Sequence, residues 1–194
     1  MTRYLSVALF TEGASDEAFL RRLLDGQLSR WVADHGTFSF DSVTSQPCRT
    51  VADHGVLEDA VDRATASFVL VVVHNDHREG GKARALAERI GSGRPGRLLC
   101  VIPLYETEAW ALADPTPFKQ LRGADANRVP QRPRDIEKLR DPEAELKAVL
   151  ADRASDDVFD FIGERVSLER LAGVPAYDDF PTDLTTALKE LHHL

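Results

Sequence analysis

Six apolar residues in a row, Phe68 to Val73 within "SFVLVVV", limit the fold more than any other feature. A strand with one wet face alternates apolar and polar residues. This run does not alternate, so it is expected to be buried on both faces. That places it at the centre of a mainly parallel sheet with helices on either side. Other segments fit around it. Tyr4–Phe10 reads as a first strand and Thr37–Val43 as a second, towards a sheet edge. Ser67–Val73 is the third and Leu98–Leu104 the fourth.

Helical patterns fall between these strands. Phe19, Leu20, Leu23, Leu24, Leu28 and Val32 recur at helical spacing behind a Ser15-Asp16-Glu17 start. Val56, Leu57, Ala60, Val61 and Ala64 mark a second helix. Lys82–Ile90 marks a third, and "ETEAWALAD" opens a fourth. Strand and helix alternation of this kind implies an α/β fold with right-handed crossovers. Beyond Asp141 only helical patterns and turns remain: Pro142–Leu150, Asp156–Val166 and Asp183–Leu191. The expected division is an α/β core over residues 1–115, a Pro/Gly-rich loop over 116–140, and a helical extension over 141–194 packed on the core. His192 and His193 are expected either to fray or to have no particular role.

The chain of 194 residues carries a formal net charge of -8. Phosphate contacts need clustered Lys and Arg, so general electrostatics cannot drive nucleic-acid binding here. A metal ion, a local basic patch or a partner would have to supply positive charge. The basic patch with the right composition is Lys119–Arg140, which includes Arg128, Arg132 and Arg134 and reads as an exposed loop. The two cysteines, Cys48 and Cys100, match no metal-ligand spacing. Cys100 sits in an apolar run and is expected to be a reduced core residue. No run is long enough for a membrane span, and Tyr4–Phe10 is too short for a signal-peptide core, so a cytoplasmic protein is expected.

Ligands of open parallel sheets bind beyond the carboxyl ends of the strands. Acidic residues gather there. The first strand runs into Thr11-Glu12-Gly13, with Asp16 one turn into the helix. The third runs into His74-Asn75-Asp76-His77, and the fourth into Glu106 and Glu108. Like charges brought together are costly unless cations neutralise them. Oxygen-rich clusters suit Mg²⁺ or Mn²⁺. Glu12 is therefore expected to hold a metal or move a proton, with Gly13 allowing a tight turn beside it. Asp16 could equally be helix-start chemistry, and Asp76 could combine capping with ligation. His74 and His77 could each be ligand, base or surface residue. Glu106 and Glu108 are two apart and cannot share a helix face, so only one is expected in the site. Trp110 is expected in the core, and Lys82 either neutralises a phosphate or is a surface lysine. The single glycine in "TEGASDE" excludes a dinucleotide-binding fingerprint. The single acid at that turn also excludes a phospho-receiver domain.

"FTEGASDEAFL" resembles the first motif of the Toprim domain, found in topoisomerases, bacterial primases and OLD-family nucleases. "HNDHREGGKA" stands where that domain carries an Asp-x-Asp pair, with Asp76 as its one aspartate. "IPLYETEAWALADP", "RDPEAELKAVL" and "YDDFPTDLTTAL" are similar to segments of small stand-alone Toprim-like proteins from restriction and phage-defence loci. The resemblance implies a Toprim-like Rossmannoid sheet and selects Glu108 over Glu106. It implies a metal-dependent nuclease acting on DNA or RNA, with Glu12 and Asp76 catalytic. Glu12, Asp16, Asp76, Glu108, His74 and His77 would be metal ligands for Mg²⁺ or Mn²⁺. An ABC-type ATPase is the implied partner, with Lys82, Arg128, Arg132 and Arg134 contacting it or the nucleic acid; a homo-oligomer is also open. The altered Asp-x-Asp keeps a second reading alive, a catalytically degenerate binding or regulatory module.

Overall fold

The computed structural model describes residues 2–46, 54–74, 88–89, 97–101 and 106–194. In chain order the elements are β1 (Arg3–Leu5), β2 (Val7–Phe10), α1 (Ala14–His35), β3 (Phe38–Phe40), β4 (Thr44–Ser45), α2 (His54–Ser67), β5 (Leu70–His74) and β6 (Leu98–Val101). They continue with α3 (Thr107–Ala111), α4 (Thr116–Gln120), a 3-10 turn (Pro133–Lys138), α5 (Pro142–Leu150), α6 (Asp156–Arg165), α7 (Leu168–Leu171) and α8 (Pro175–Glu190). Strands β4, β2, β5 and β6 lie side by side in that order, all parallel. The fold is Rossmann-like α/β with a helical C-terminal region.

In the run that opened the analysis, Phe68 and Val69 precede the strand and are half-buried, while Leu70–Val73 lie in β5, at the middle of this sheet, where every residue is buried. Its side chains divide strictly between the two faces, because the strand period is two. Leu70 and Val72 join Val7, Leu9, Leu99 and Val101 in the core beneath α1. Val71 and Val73 join Ala8 and Phe10 against Leu57, Val61 and Ala64 of α2. Helices thus cover both faces.

The first expected strand is in fact two. It breaks at Ser6, whose carbonyl accepts from Val69 N and Leu70 N, both at 3.0 Å. The Ser6 hydroxyl also accepts from Val69 N at 3.1 Å. With Ser6 turned to the start of β5, β1 peels away to pair with β3. Of the second expected strand only Phe38–Phe40 forms a strand, β3, and the short edge strand β4 begins just past its expected end at Val43. Ser67 ends α2 rather than opening β5, and the last helix begins at Pro175 rather than Asp183. The expected helix at Lys82–Ile90 lies almost wholly outside the described residues, as does the expected end of the fourth strand at Leu104.

The stretch 119–140 is not an exposed loop. Its charged side chains face solvent, but Val129 and Ile136 are 1% and 0% exposed and belong to the main core. That core also takes residues from α5, α6 and α8, so the C-terminal helices and the sheet share one interior. The tightest helix contact joins α1 to α6. A Cβ on Gly163 would lie 2.5 Å from the Phe19 carbonyl oxygen, so only glycine permits this approach. Arg21 and Arg22 of α1 both reach Asp160 of α6, at 2.6 and 2.7 Å. His193 does not fray: it is 6% exposed, with its ring edge-on to Phe38. The neighbouring His192 carbonyl accepts from Arg3 at 2.7 Å. Among the described residues no helix is long and apolar enough to cross a membrane.

Candidate functional site

At the carboxyl end of β2 the chain passes through Thr11, Glu12 and Gly13 into α1. Gly13 has φ -132° and ψ 167°, extended backbone open to any residue, so the expected tight glycine turn is absent. The constraint is contact instead. Gly13 N–H donates to Asp16 Oδ2 at 3.1 Å, and a Cβ on Gly13 would stand 3.1 Å from that same oxygen. Asp16 is 7% exposed, and its carboxylate closes the first turn of α1 by satisfying an N–H that has no partner within the helix. Glu12 is exposed at the rim.

At the end of β5, His74 is fully buried, which removes its surface reading. Its Nε2 shares a hydrogen bond of 2.7 Å with the Thr107 hydroxyl, on the first turn of α3. Thr107 is fully buried too. Glu106 and Glu108 flank it, and they diverge as their spacing requires. The Glu106 carboxylate accepts from Glu143 N at 3.1 Å, at the start of α5. Asp141 caps that same helix by accepting from Ala144 N at 2.8 Å.

Glu108 is half-buried and lines an open cleft of about 230 Å³. Ser15 of α1, Glu143 and Lys147 of α5, and Ser155 and Asp156 at the start of α6 share its walls, with Leu146 and Phe159 among them. The cleft thus brings the start of α1, adjacent to Asp16, to Glu108. Lys147 Nζ lies 2.5 Å from Glu143 Oε1, and that contact raises the Lys147 pKa, with smaller contributions from Asp141 and Glu108. Trp110 is core, edge-on to Tyr177 at 5.1 Å.

Asp76, His77 and Lys82 lie outside the described residues. Of the remaining expected ligands, Glu12, Asp16, Glu108 and His74 form no group of three: among the described residues no three His, Cys, Asp or Glu side chains meet as a metal site would require. Arg128 is bound to Glu145 at 3.1 and 3.4 Å, whereas Arg132 and Arg134 are exposed. Lys138 holds the Asp135 carboxyl below its usual range, with Arg132 and Arg134 adding to the effect. Cys100 is a free thiol whose pKa burial pushes up to about 12.

Sequence reasoning missed Thr107 and the far wall of the cleft. Thr107 sits between two glutamates that drew attention away from it. Glu143 and Lys147 show an i,i+4 pairing in the sequence, but nothing in that spacing says what they face.

Residues 11–154 match a family described as Domain of unknown function (DUF4276). The chain belongs to that family. No curated protein and no solved structure matches the chain. The DUF4276 span opens at the β2–α1 turn, so it takes in Glu12, Asp16, His74, Thr107 and Glu108. It also includes the α5 wall of the cleft, while Ser155, Asp156 and Phe159 follow its end.

Proposed function

We propose that this chain is a divalent-metal-dependent nuclease, hydrolysing phosphodiester bonds in DNA or RNA together with an ABC-type ATPase. The observation that carries the reading is the shared cleft: the helix following β2 and the carboxylate of Glu108 line one concave surface. The donors expected at this rim are carboxylate oxygens, the chemistry that suits Mg²⁺ or Mn²⁺, while among the described residues no three His, Cys, Asp or Glu side chains come together as a metal site. Glu12 and Glu108 would hold it, joined by Asp76. When bound, such an ion lowers the pKa of water and stabilises charge on a phosphoryl oxygen. The chain itself does the positioning. Asp16 fixes the start of α1, Glu106 fixes the start of α5 against α3, and the Leu146 and Phe159 side chains give the cleft apolar walls. A chain of net charge -8 needs cationic help to approach nucleic acid, and Arg132 and Arg134 or the ATPase would supply it.

A second reading, a degenerate binding or regulatory module, draws on a specific observation. Two acids of the rim, Asp16 and Glu106, are engaged by backbone N–H groups of helix starts. One experiment separates the readings. The purified chain, alone and with its ATPase, is incubated with single-stranded and duplex DNA and with RNA, in Mn²⁺, Mg²⁺ or chelator. Cleavage that chelator abolishes and that Glu12→Gln or Glu108→Gln lowers at least 100-fold, roughly the scale of losing a positioned catalytic group, is expected. No cleavage in any combination, with no Mn²⁺ binding by calorimetry at millimolar concentration, would leave only the module.

A further inference from the structure

Helix α3 spans only Thr107–Ala111, too short to hold its own direction through internal hydrogen bonds. Its orientation must come from side chains, and two fully or almost fully buried ones supply it. Trp110 anchors it to the C-terminal helix through Tyr177 at 5.1 Å and Phe180 at 6.2 Å. Thr107 anchors it to the sheet through His74 Nε2 at 2.7 Å. Glu108 lies between these anchors in sequence and lines the cleft.

We infer that Thr107 is a positioning residue, which through its hydrogen bond to His74 sets the first turn of α3, and with it Glu108, against the end of β5. The inference rests on Glu108 being a metal-site carboxylate. His74 is the last residue of β5 and directly precedes the segment carrying Asp76. One buried hydrogen bond therefore joins the last residue of β5 to the first turn of α3. With both residues 0% exposed, water cannot replace the bond if it is removed. Outer partners that orient metal-site groups are typically worth about 10- to 100-fold in metal affinity.

The test compares wild type with Thr107→Val, which keeps the shape and removes the hydroxyl, and with Thr107→Ser, which restores it. Thr107→Ala runs beside them as a smaller substitution should the valine variant fail to fold. Two readouts are taken: the His74 ring-nitrogen and Glu108 amide NMR signals without metal, and Mn²⁺ affinity by calorimetry. The valine and alanine variants are expected to shift both signals and to bind Mn²⁺ about 10-fold more weakly, while the serine variant stays within about twofold of wild type. A residue that merely adds stability would lower the melting temperature and leave Mn²⁺ affinity unchanged. Wild-type signals and wild-type affinity in the folded valine or alanine variant would overturn the inference. If wild type binds no Mn²⁺, the metal reading fails by itself, and unshifted Glu108 and His74 signals alone would then overturn the positioning role.

Discussion

The β2–α1 turn and the start of α3 place acids in the same way and use them differently. Each junction carries acids around a helix start, among them Glu12 and Asp16 at the first and Glu106 and Glu108 at the second. At each, one acid is taken by a backbone N–H, Gly13 for Asp16 and Glu143 for Glu106. The other lies at the rim, Glu12 exposed and Glu108 in the wall of the cleft, each with an interaction of its own. The order is reversed between the two, so position within the pair does not reveal which acid is structural. What marks Asp16 and Glu106 is a helix-start N–H at 3.1 Å from each carboxylate. Helix-start chemistry and rim chemistry draw on the same residue type, and only the fold separates them.

The largest expected effect sets the scale for global damage that leaves both junctions chemically intact. Gly163→Ala puts a methyl group against the Phe19 carbonyl and should cost about 2–3 kcal/mol in urea unfolding. If it costs nothing, the α1–α6 contact does not seat α1, and the first junction must be held by Asp16 alone. Next come the acids engaged by helix starts. Asp16→Ala and Glu106→Ala should each lose about 1 kcal/mol, the usual worth of a helix-start cap. Equal losses from Glu12→Ala and Glu108→Ala would erase the distinction between the acids that hold helix starts and the acids of the rim.

Asp160, which ties α6 to α1, serves as a control. The Arg22 guanidinium, helped by Arg21, holds the Asp160 carboxyl below the usual carboxylate range. A carboxylate whose pKa is lower folded than unfolded stabilises the fold above its unfolded value, about 4, and loses that contribution as pH falls through the folded value. Asp160→Asn should therefore flatten the fall in stability below about pH 4 and leave Mn²⁺ binding alone. An unchanged acid limb would mean the Asp160 pairs are broken in solution. The smallest effect concerns Cys100. With its thiol pushed up to about 12 by burial, it should react with a thiol reagent at pH 8 far more slowly than a free cysteine, in a Cys48→Ser background. Fast labelling would show that the β6 edge opens.

Periodicity carried much of the fold. The unbroken apolar run of β5, the helical spacing after Ser15 and the exact span of α5 were all legible, because burial on two faces or on one stripe leaves a repeating mark. The break at Ser6 was not, since a serine inside an apolar run reads the same whether or not its carbonyl turns to another strand. The 119–140 stretch misled for a related reason: Val129 and Ile136 are isolated apolar residues among charges, and isolated residues have no period. At the site, acidic residues near strand ends pointed to the rim. Thr107 left no signal, because a buried threonine and an exposed one look alike in sequence.

Thermal melts in chelator and in Mn²⁺ test the division of the acids most directly, using wild type, Glu12→Gln, Glu108→Gln, Asp16→Ala and Glu106→Ala. Ligand binding to the folded state raises stability by mass action, so a bound metal should show as a rise in melting temperature. The Glu12→Gln and Glu108→Gln variants should melt closer to wild type in chelator than the helix-start variants do, and should lose the rise with Mn²⁺. The helix-start variants should melt lower in chelator and keep the rise. The reverse pattern, with Glu12 and Glu108 needed for stability and Asp16 and Glu106 needed for the metal response, would contradict the assignment at both junctions.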